Sequence, residues 1–492
     1  MSLEPGDFRA GSSAESASVS ATPLVIDLDG TLLRSDLLLE AGLLFLRDRP
    51  LAFWQPLVWL KSGRAVLKER LAATIRIDVD HLPFDLEVLA WVRAERNAGR
   101  TIVLATASHH AWARQIADHL QVFDDVLATD GTRNLSAGNK RDVLVERYGE
   151  RGFDYVGNAH DDLPVLQVAR RGYLVKPQPG LIRRVKALGT PVEVLVAGGT
   201  SVNTWFKALR LHQWLKNLLI FVPLLASHQI ADPMLVTQGV LAFLFFGLCA
   251  SSVYLLNDLL DLPEDRRHPT KHARPLACGA LSVKTGLVAV PILLLLAFAG
   301  AVVFLPWVFT AVLAVYYVLT VAYSIDLKRR MMVDVLVLAA LYTIRVIAGA
   351  AALGLGLTFW ILAFSMFMFL SLAMVKRYAE LKAAADRGQI GQTPGRGYWP
   401  SDLGMVAVLG AVSGYLAVLV LALYIDNEDT RILYTHAEWI WLAVPLLLFW
   451  ISRVWMLAHR GQMNEDPLLF AIRDRASLVV GLLFVLVFWI AT

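Results

Sequence analysis

Two acidic strings, far apart in the chain, have spacing that chemistry can use. The first is Asp27-Leu28-Asp29-Gly30-Thr31-Leu32, directly behind a short apolar run. Two carboxylates two residues apart at a strand's end can divide labour on a phosphate ester. One attacks phosphorus and the other handles the leaving group's proton. Gly30 permits the sharp turn that aims both into one site. The Asp-x-Asp pair alone is often a surface turn; the whole string after a strand is a far stronger signal. The second string begins Asn257-Asp258-Leu259-Leu260-Asp261 and continues through Asp265 to Lys271 and Arg274. On a continuous helix Asp258, Asp261 and Asp265 would fall at i, i+3 and i+7 along one face, although Pro263 can bend the helix there. Grouped carboxylates repel unless something positive lies between them. Mg²⁺ carrying a diphosphate is the natural partner, because hard cations take oxygen ligands and keep substrate phosphates in their shell. Lys271 and Arg274 add charge for the phosphate oxygens. The bland alternative is a solvated loop with ordinary charges.

The elements that must position these residues are of two kinds. Of the 492 residues, 56% are hydrophobic and 18% charged, too apolar for a soluble chain of this length. The first 21 residues are Ser- and Ala-rich and are expected to form a disordered tail. From 22 to about 195, short β-type runs at 24–27, 101–105, 124–129, 154–156 and 172–175 alternate with helical stretches. That alternation predicts a parallel sheet covered by helices. A helical insertion at 35–99, containing Trp54 and Trp59, fits a lid, a membrane-docking surface, or both. Residues 196–203 read as a linker around Gly198 and Gly199.

Beyond it, nine stretches are long enough to span a bilayer, each near the ~20 residues required. They are 209–227, 234–257, 284–304, 307–325, 333–353, 358–376, 403–425, 438–458 and 476–491. Basic residues gather in alternate loops, with Arg431 the one clear exception. The positive-inside rule therefore predicts a multi-pass protein of a bacterial inner membrane, with the N-terminal domain and both acidic strings cytoplasmic and the C-terminus outside. The net charge of +4 is small, and the clustering of basic residues in particular loops suggests membrane topology and an anionic substrate, not nucleic-acid binding. Cys249 and Cys278 have neither zinc-ligand spacing nor a disulfide framework.

The first string resembles motif I of the haloacid dehalogenase (HAD) superfamily, and the rest of that set follows in order over about 22–190: Thr106, then Lys140, then Gly157-Asn158-Ala159-His160-Asp161-Asp162. The resemblance implies a Rossmann-like phosphatase with Asp27 as nucleophile, Asp29 as acid/base, Thr106 and Lys140 holding the phosphoryl group, and Mg²⁺ at Asp27, Asp29, Asn158 and Asp162. Asn158 departs from the pattern, because an acid is usual there; asparagine still offers an oxygen but no charge. The alternative is a HAD fold kept only as a scaffold.

The second string resembles the first Asp-rich motif of UbiA-type intramembrane prenyltransferases, and the nine spans over 204–492 suit that family's all-helical fold. Its detailed form, with Gln213-Trp214-Leu215-Lys216-Asn217 and the stretch 323–349, looks like the branch that makes polyprenyl-phosphoryl 5-phosphoribose. The resemblance implies Mg²⁺ at Asn257, Asp258, Asp261 and Asp265, with Lys216, Asn217, Lys271, Arg274, Lys328, Asp334 and Arg345 binding substrate. Aromatic prenyltransferases usually carry a second Asp-x-x-x-Asp motif. Here Asp326 and Asp334 lie eight apart among Lys328, Arg329 and Arg330, a setting better suited to a phosphate. For Asp334 and Arg345 the alternative is an intramembrane ion pair that fixes packing.

The expectation is therefore a bifunctional enzyme. Its membrane part would join phosphoribosyl diphosphate to polyprenyl phosphate, and its HAD part would remove the 5-phosphate to leave polyprenyl-phosphoryl ribose, an envelope sugar donor. Its competitors are an aromatic prenyltransferase with an unrelated phosphatase, and a lipid or ion transporter.

Overall fold

The computed structural model describes residues 22–131, 133–199, 201–393, 396–427, 434–463 and 466–492. The expected tail and Arg431 lie outside them. The chain divides into two compact units: residues up to 208 together with 255–288, and residues 209–254 together with 289–492.

The first unit is built on six strands, β1 (Leu24–Ile26), β2 (Ile102–His109), β3 (Asp125–Thr129), β4 (Asp154–Gly157), β5 (Gly172–Val175) and β6 (Val192–Val196). Their spatial order is β3-β2-β1-β4-β5-β6, and all paired neighbours are parallel. The first five strands match the expected ones. β6 is an addition at the sheet edge; its half-exposed Val192-Glu193-Val194 stretch lacks the continuous apolar run that marks a central strand. The insertion forms helices Leu37–Asp48, Gln55–Lys61, Arg64–Thr74 and Leu86–Asn97.

Strand parity explains where the chemistry emerges. Leu24 and Ile26 enter the core on one face of the sheet with Ile102, Leu104 and Val156. Val25 enters the core on the other face with Val103, Ala105, Tyr155 and Leu144. With side chains alternating along a strand, Asp27 continues the row of Val25. It thus emerges on the face covered by helix Ala137–Tyr148, which carries Lys140.

In the second unit polarity follows burial. Helix Val283–Phe304, which enters it from the first unit, has mean hydropathy 2.8 and is 11% buried, whereas Val333–Leu353 has mean hydropathy 2.0, is 67% buried and carries Asp334 and Arg345. Ionisable residues on the most enclosed helix mark an interior site. Among the described residues, seven helices are long and apolar enough to cross a membrane, or eight if one bent pair counts as a span. The expected nine are therefore corrected at both ends of the membrane region. The first candidate resolves into a 3₁₀ helix, Leu211–Phe221, and a short helix, Val222–Ala226, together too short to qualify. The last divides into Pro467–Arg473 and Arg475–Ala491, bent by 83°. Asp474 makes that break: its carboxylate caps the second helix through Ser477 N at 2.8 Å and pairs with Arg453 at 2.6 Å.

Candidate active sites

In the first unit, β1 is hydrogen-bonded between β2 and β4, and Asp27 N continues the ladder by donating to Val156 O at 3.0 Å. The chain then turns at Gly30, with φ +78°. A Cβ there would lie 2.3 Å from Asn158 Nδ2, so both backbone angle and space demand glycine. The Asp29 carboxylate accepts from Leu37 N at 2.9 Å and from Ser108 Oγ at 2.6 Å. Asp27 accepts from Lys140 Nζ at 2.7 Å. Lys140 also donates to the Tyr155 hydroxyl at 3.0 Å, and that hydroxyl donates to Asp162 at 2.7 Å. The other Asp162 oxygen accepts from the backbone N–H groups of Asn158 and Ala159. Thr106, fully buried, accepts from Ser108 N at 3.0 Å.

All six residues expected here, Asp27, Asp29, Thr106, Lys140, Asn158 and Asp162, thus gather around the end of β1. Burial pushes the Asp27 carboxyl up to about 6, against the pull of Lys140. Burial and the nearby Asp36 carboxylate push Asp29 up to about 7. Both carboxyls are thus held above the ordinary range for aspartate, so a proton can be kept at this site closer to neutrality, as an acid/base group requires. Asn158 Oδ1 is buried without a hydrogen-bond partner. An orphaned buried oxygen in an all-oxygen donor set fits a hard cation such as Mg²⁺. Tyr155 and Ser108 were not anticipated. A tyrosine on a strand buried on both faces needs a hydroxyl partner, and Ser108 shares the parity of Thr106; both signals lie in the sequence.

The Asp-rich string belongs to the same compact unit. Helix Pro233–Leu260 ends just beyond Asn257 and Asp258, and Asp261 opens a separate short helix, Leu262–Arg267, with Pro263 in its first turn. The three acids therefore do not share one continuous helix face. Arg274 Nη1 instead lies between two nearly buried carboxylates, 3.0 Å from Asp258 and 2.6 Å from Asp265. Among the described residues no three His, Cys, Asp or Glu side chains gather closely enough to enclose a metal ion. The donors are oxygens of the kind a hard cation takes, and in this arrangement the guanidinium holds the position between them. Lys271 starts a 3₁₀ turn, Lys271–Ala273, beside them.

The second unit holds two ionic clusters. In one, Asp466 accepts from Lys216 at 2.7 Å and from the Tyr342 hydroxyl at 3.0 Å, with Lys376 3.5 Å away. Next to it Arg345, 4% exposed, donates to Asn217 Oδ1 at 3.0 Å and to the Tyr316 hydroxyl at 3.3 Å. Its guanidinium also lies over the rings of Phe246, Tyr316 and Tyr342, 5.1 to 5.8 Å from their centroids. Gly349 makes this possible, since a Cβ there would lie 2.0 Å from Ile220 O. Gly349→Ala should push segment 211–221 away from helix Val333–Leu353, part Asn217 from Arg345, and lower thermal stability by about 1–3 kcal/mol; a thermal melt in detergent measures this.

The other cluster centres on Asp334, fully buried, which meets Arg377 at 2.6 Å, Arg396 at 3.3 Å and the Tyr323 hydroxyl at 2.7 Å. Asp334 and Arg345 thus have separate partners, so the packing ion pair considered for them is replaced by Asp334 with Arg377 and Arg396. Arg377 is 1% exposed. Lys328 lies in the 3₁₀ turn Leu327–Arg329 that precedes this helix. Asp466 was not anticipated, although Asp466-Pro467 is a helix-opening signature and its carboxylate caps Leu468 N.

A model of the UbiA prenyltransferase family matches residues 218–478, more than half of the chain. The chain belongs to that family. Residues 24–167 match the haloacid dehalogenase-like hydrolase model. Among relatives of this UbiA-family chain, the y4nM protein of Sinorhizobium fredii is 35% identical over 95% of this chain and 91% of its own length. Nodulation protein NoeC of Azorhizobium caulinodans is 39% identical over 58% of this chain and 92% of its own. The decaprenyl-phosphate phosphoribosyltransferase of Mycolicibacterium smegmatis is 33% identical over 59% of this chain and 91% of its own. UbiA-family membership and the seven or eight apolar helices make this a multi-pass membrane protein.

Proposed function

We propose that this chain transfers 5-phosphoribose from phosphoribosyl diphosphate to a polyprenyl phosphate, and that its HAD-like domain then removes the 5-phosphate. The observation that carries the first step is the charge of the Asp466 cluster. Nearly buried Lys216 and buried Arg345, with the partly exposed Lys376, share one carboxylate there. Buried cations in excess call for an anion. Asp334 lies between Arg377 and Arg396, a basic setting that supports a donor with phosphate at both ends over a prenyl diphosphate with an aromatic acceptor. The name of the Mycolicibacterium relative agrees with this reading.

In the transfer, an oxygen of the lipid phosphate attacks C1 of the ribose as the bond from C1 to the diphosphate oxygen breaks. The lipid phosphate is already an anion, so no strong base is required. Lys271 and Arg274 neutralise the departing diphosphate, while Lys216, Lys328 and Arg345 serve the remaining phosphates. In the second step Asp27 attacks phosphorus, and Asp29 protonates the ribose 5-oxygen as its bond to phosphorus breaks. Asp29 then takes a proton from the water that releases phosphate. Lys140 holds the Asp27 carboxylate and the phosphoryl charge. Asp27 and Asn158, with Asp29 and Asp162 near, would hold a magnesium ion in the HAD-like domain. Asn257, Asp258, Asp261 and Asp265 would hold one in the Asp-rich loop only with Arg274 turned from Asp258 and Asp265 to the substrate's phosphates, and such an ion would supply positive charge to phosphate oxygens. Positive-inside charge supports a cytoplasmic position for both sites.

Incubating the purified protein with labelled phosphoribosyl diphosphate, polyprenyl phosphate and Mg²⁺ tests this. Labelled ribosyl lipid without the 5-phosphate is expected. If no sugar reaches the lipid, the ribosyl reading is lost and prenyl diphosphate with aromatic acceptors takes its place. Ser108 supplies a finer check on the phosphatase. Its hydroxyl favours ionised Asp29, so Ser108→Ala should raise the Asp29 pKa above its value of about 7. The alkaline limb of the pH–rate profile, which needs protonated Asp29, should then move to higher pH.

A further inference from the structure

One apolar surface is used by neither reaction. From Arg49 to Arg64 the insertion presents Leu51, Phe53, Trp54, Leu57, Val58 and Leu60 to the outside, with Leu51 92% and Phe53 61% exposed. The inner side of the same segment is fixed to the core, where Trp59 packs edge-on against Phe45 at 5.2 Å. A contiguous exposed patch rich in large apolar side chains marks an interaction site. No acidic residue occurs between Arg49 and Arg64, and Arg49, Lys61 and Arg64 are all exposed. An aromatic and aliphatic face within a basic rim is the composition of segments that lie in a membrane interface, with rings at headgroup depth and cations on anionic phosphates.

The segment's place in the fold agrees. Arg47 donates to the carbonyl of Leu260, the last residue of the spanning helix Pro233–Leu260, at 3.2 Å. It also pairs with Glu264 at 2.7 Å. The end of a spanning helix lies at the membrane boundary, and Pro50 follows Arg47 by three residues, a reach of at most about 11 Å. We propose that residues 49–64 are an interfacial anchor whose apolar face, Leu51, Phe53, Trp54, Leu57, Val58 and Leu60, inserts into the anionic bilayer surface that this chain's own spans cross. The anchor fixes the HAD-like domain at the lipid headgroups, whichever phosphate ester the domain hydrolyses.

A fluorophore on Leu57→Cys, in the full chain with Cys278→Ser, tests it. The protein is reconstituted into vesicles of phosphatidylethanolamine and phosphatidylglycerol. The same label on Glu146→Cys, on an exposed helix position of the domain, is the reference, and Phe53→Cys is a second probe should the first variant fold poorly. Nitroxides on the lipid chains should quench most of the fluorescence at 57 or 53 and little at 146, and aqueous iodide should show the reverse. Equal iodide quenching at 57, 53 and 146 would overturn the proposal. So would protection of 57 and 53 from both quenchers, because a protein surface would then cover the patch.

Discussion

Asp27→Asn is expected to abolish phosphate release while leaving transfer intact, so that the lipid product keeps its 5-phosphate. The loss should be at least about 10³-fold, since the substitution removes the attacking oxygen's charge and not merely a contact. The fold should survive: asparagine keeps an oxygen for Lys140, and Lys140 retains Tyr155 at 3.0 Å and Asp162 at 3.8 Å. The measurement is the mass of the lipid fraction after incubation with donor and acceptor, beside phosphate release from a small ester. A wild-type domain that releases no phosphate under any divalent cation would leave the HAD fold as a scaffold. A variant as active as wild type would move the nucleophile elsewhere.

Much of the N-terminal site was legible because its parts sit at strand ends, where period-two alternation fixes the face. Asp27 follows Val25 and Ile26, and its direction follows from theirs. What could not be read was the link between motifs. Lys140 reaches Asp162 through Tyr155, a hydroxyl that resembles any buried aromatic until the fold gives it neighbours.

The membrane part was less legible for a different reason. Apolar length identifies a helix but not its partner, so Arg345 and Asp334, eleven residues apart on one helix, invited pairing with each other. Three turns of helix separate them along the axis, and each found charge or hydroxyl groups from other elements. The same limit applies to the Asp-rich string. Its one-face spacing presumed a continuous helix, and the break at Asp261 with Arg274 between Asp258 and Asp265 is set by tertiary contacts. At the two ends of the membrane region apolar composition overstated the spans: Asn217 binds Arg345 on another helix, and Asp474 caps Ser477 and pairs with Arg453, contacts that composition does not reveal.

The Asp466 cluster provides a test that separates function from folding. Arg345→Met should reduce transfer by about 10²-fold or more, the usual cost of removing one fixed charge from a site where charge develops. Stability should fall only modestly, by about 1–2 kcal/mol: an apolar chain of similar length fills the space among Phe246, Tyr316 and Tyr342, but Asn217 Oδ1 loses the hydrogen bond from Arg345. Asp466→Asn should cost more stability. It leaves Lys216 at 2.7 Å and Lys376 at 3.5 Å without their carboxylate, a loss on the order of 3–5 kcal/mol when a buried pair is broken. A phosphate-bearing substrate can replace that missing negative charge. Phosphoribosyl diphosphate should therefore raise the melting temperature of Asp466→Asn more than that of wild type, and should raise that of Arg345→Met less. Melting curves with and without the donor, next to transfer rates, measure all three. Equal shifts in every variant would mean that the cluster holds the helices together and the substrate phosphates bind elsewhere.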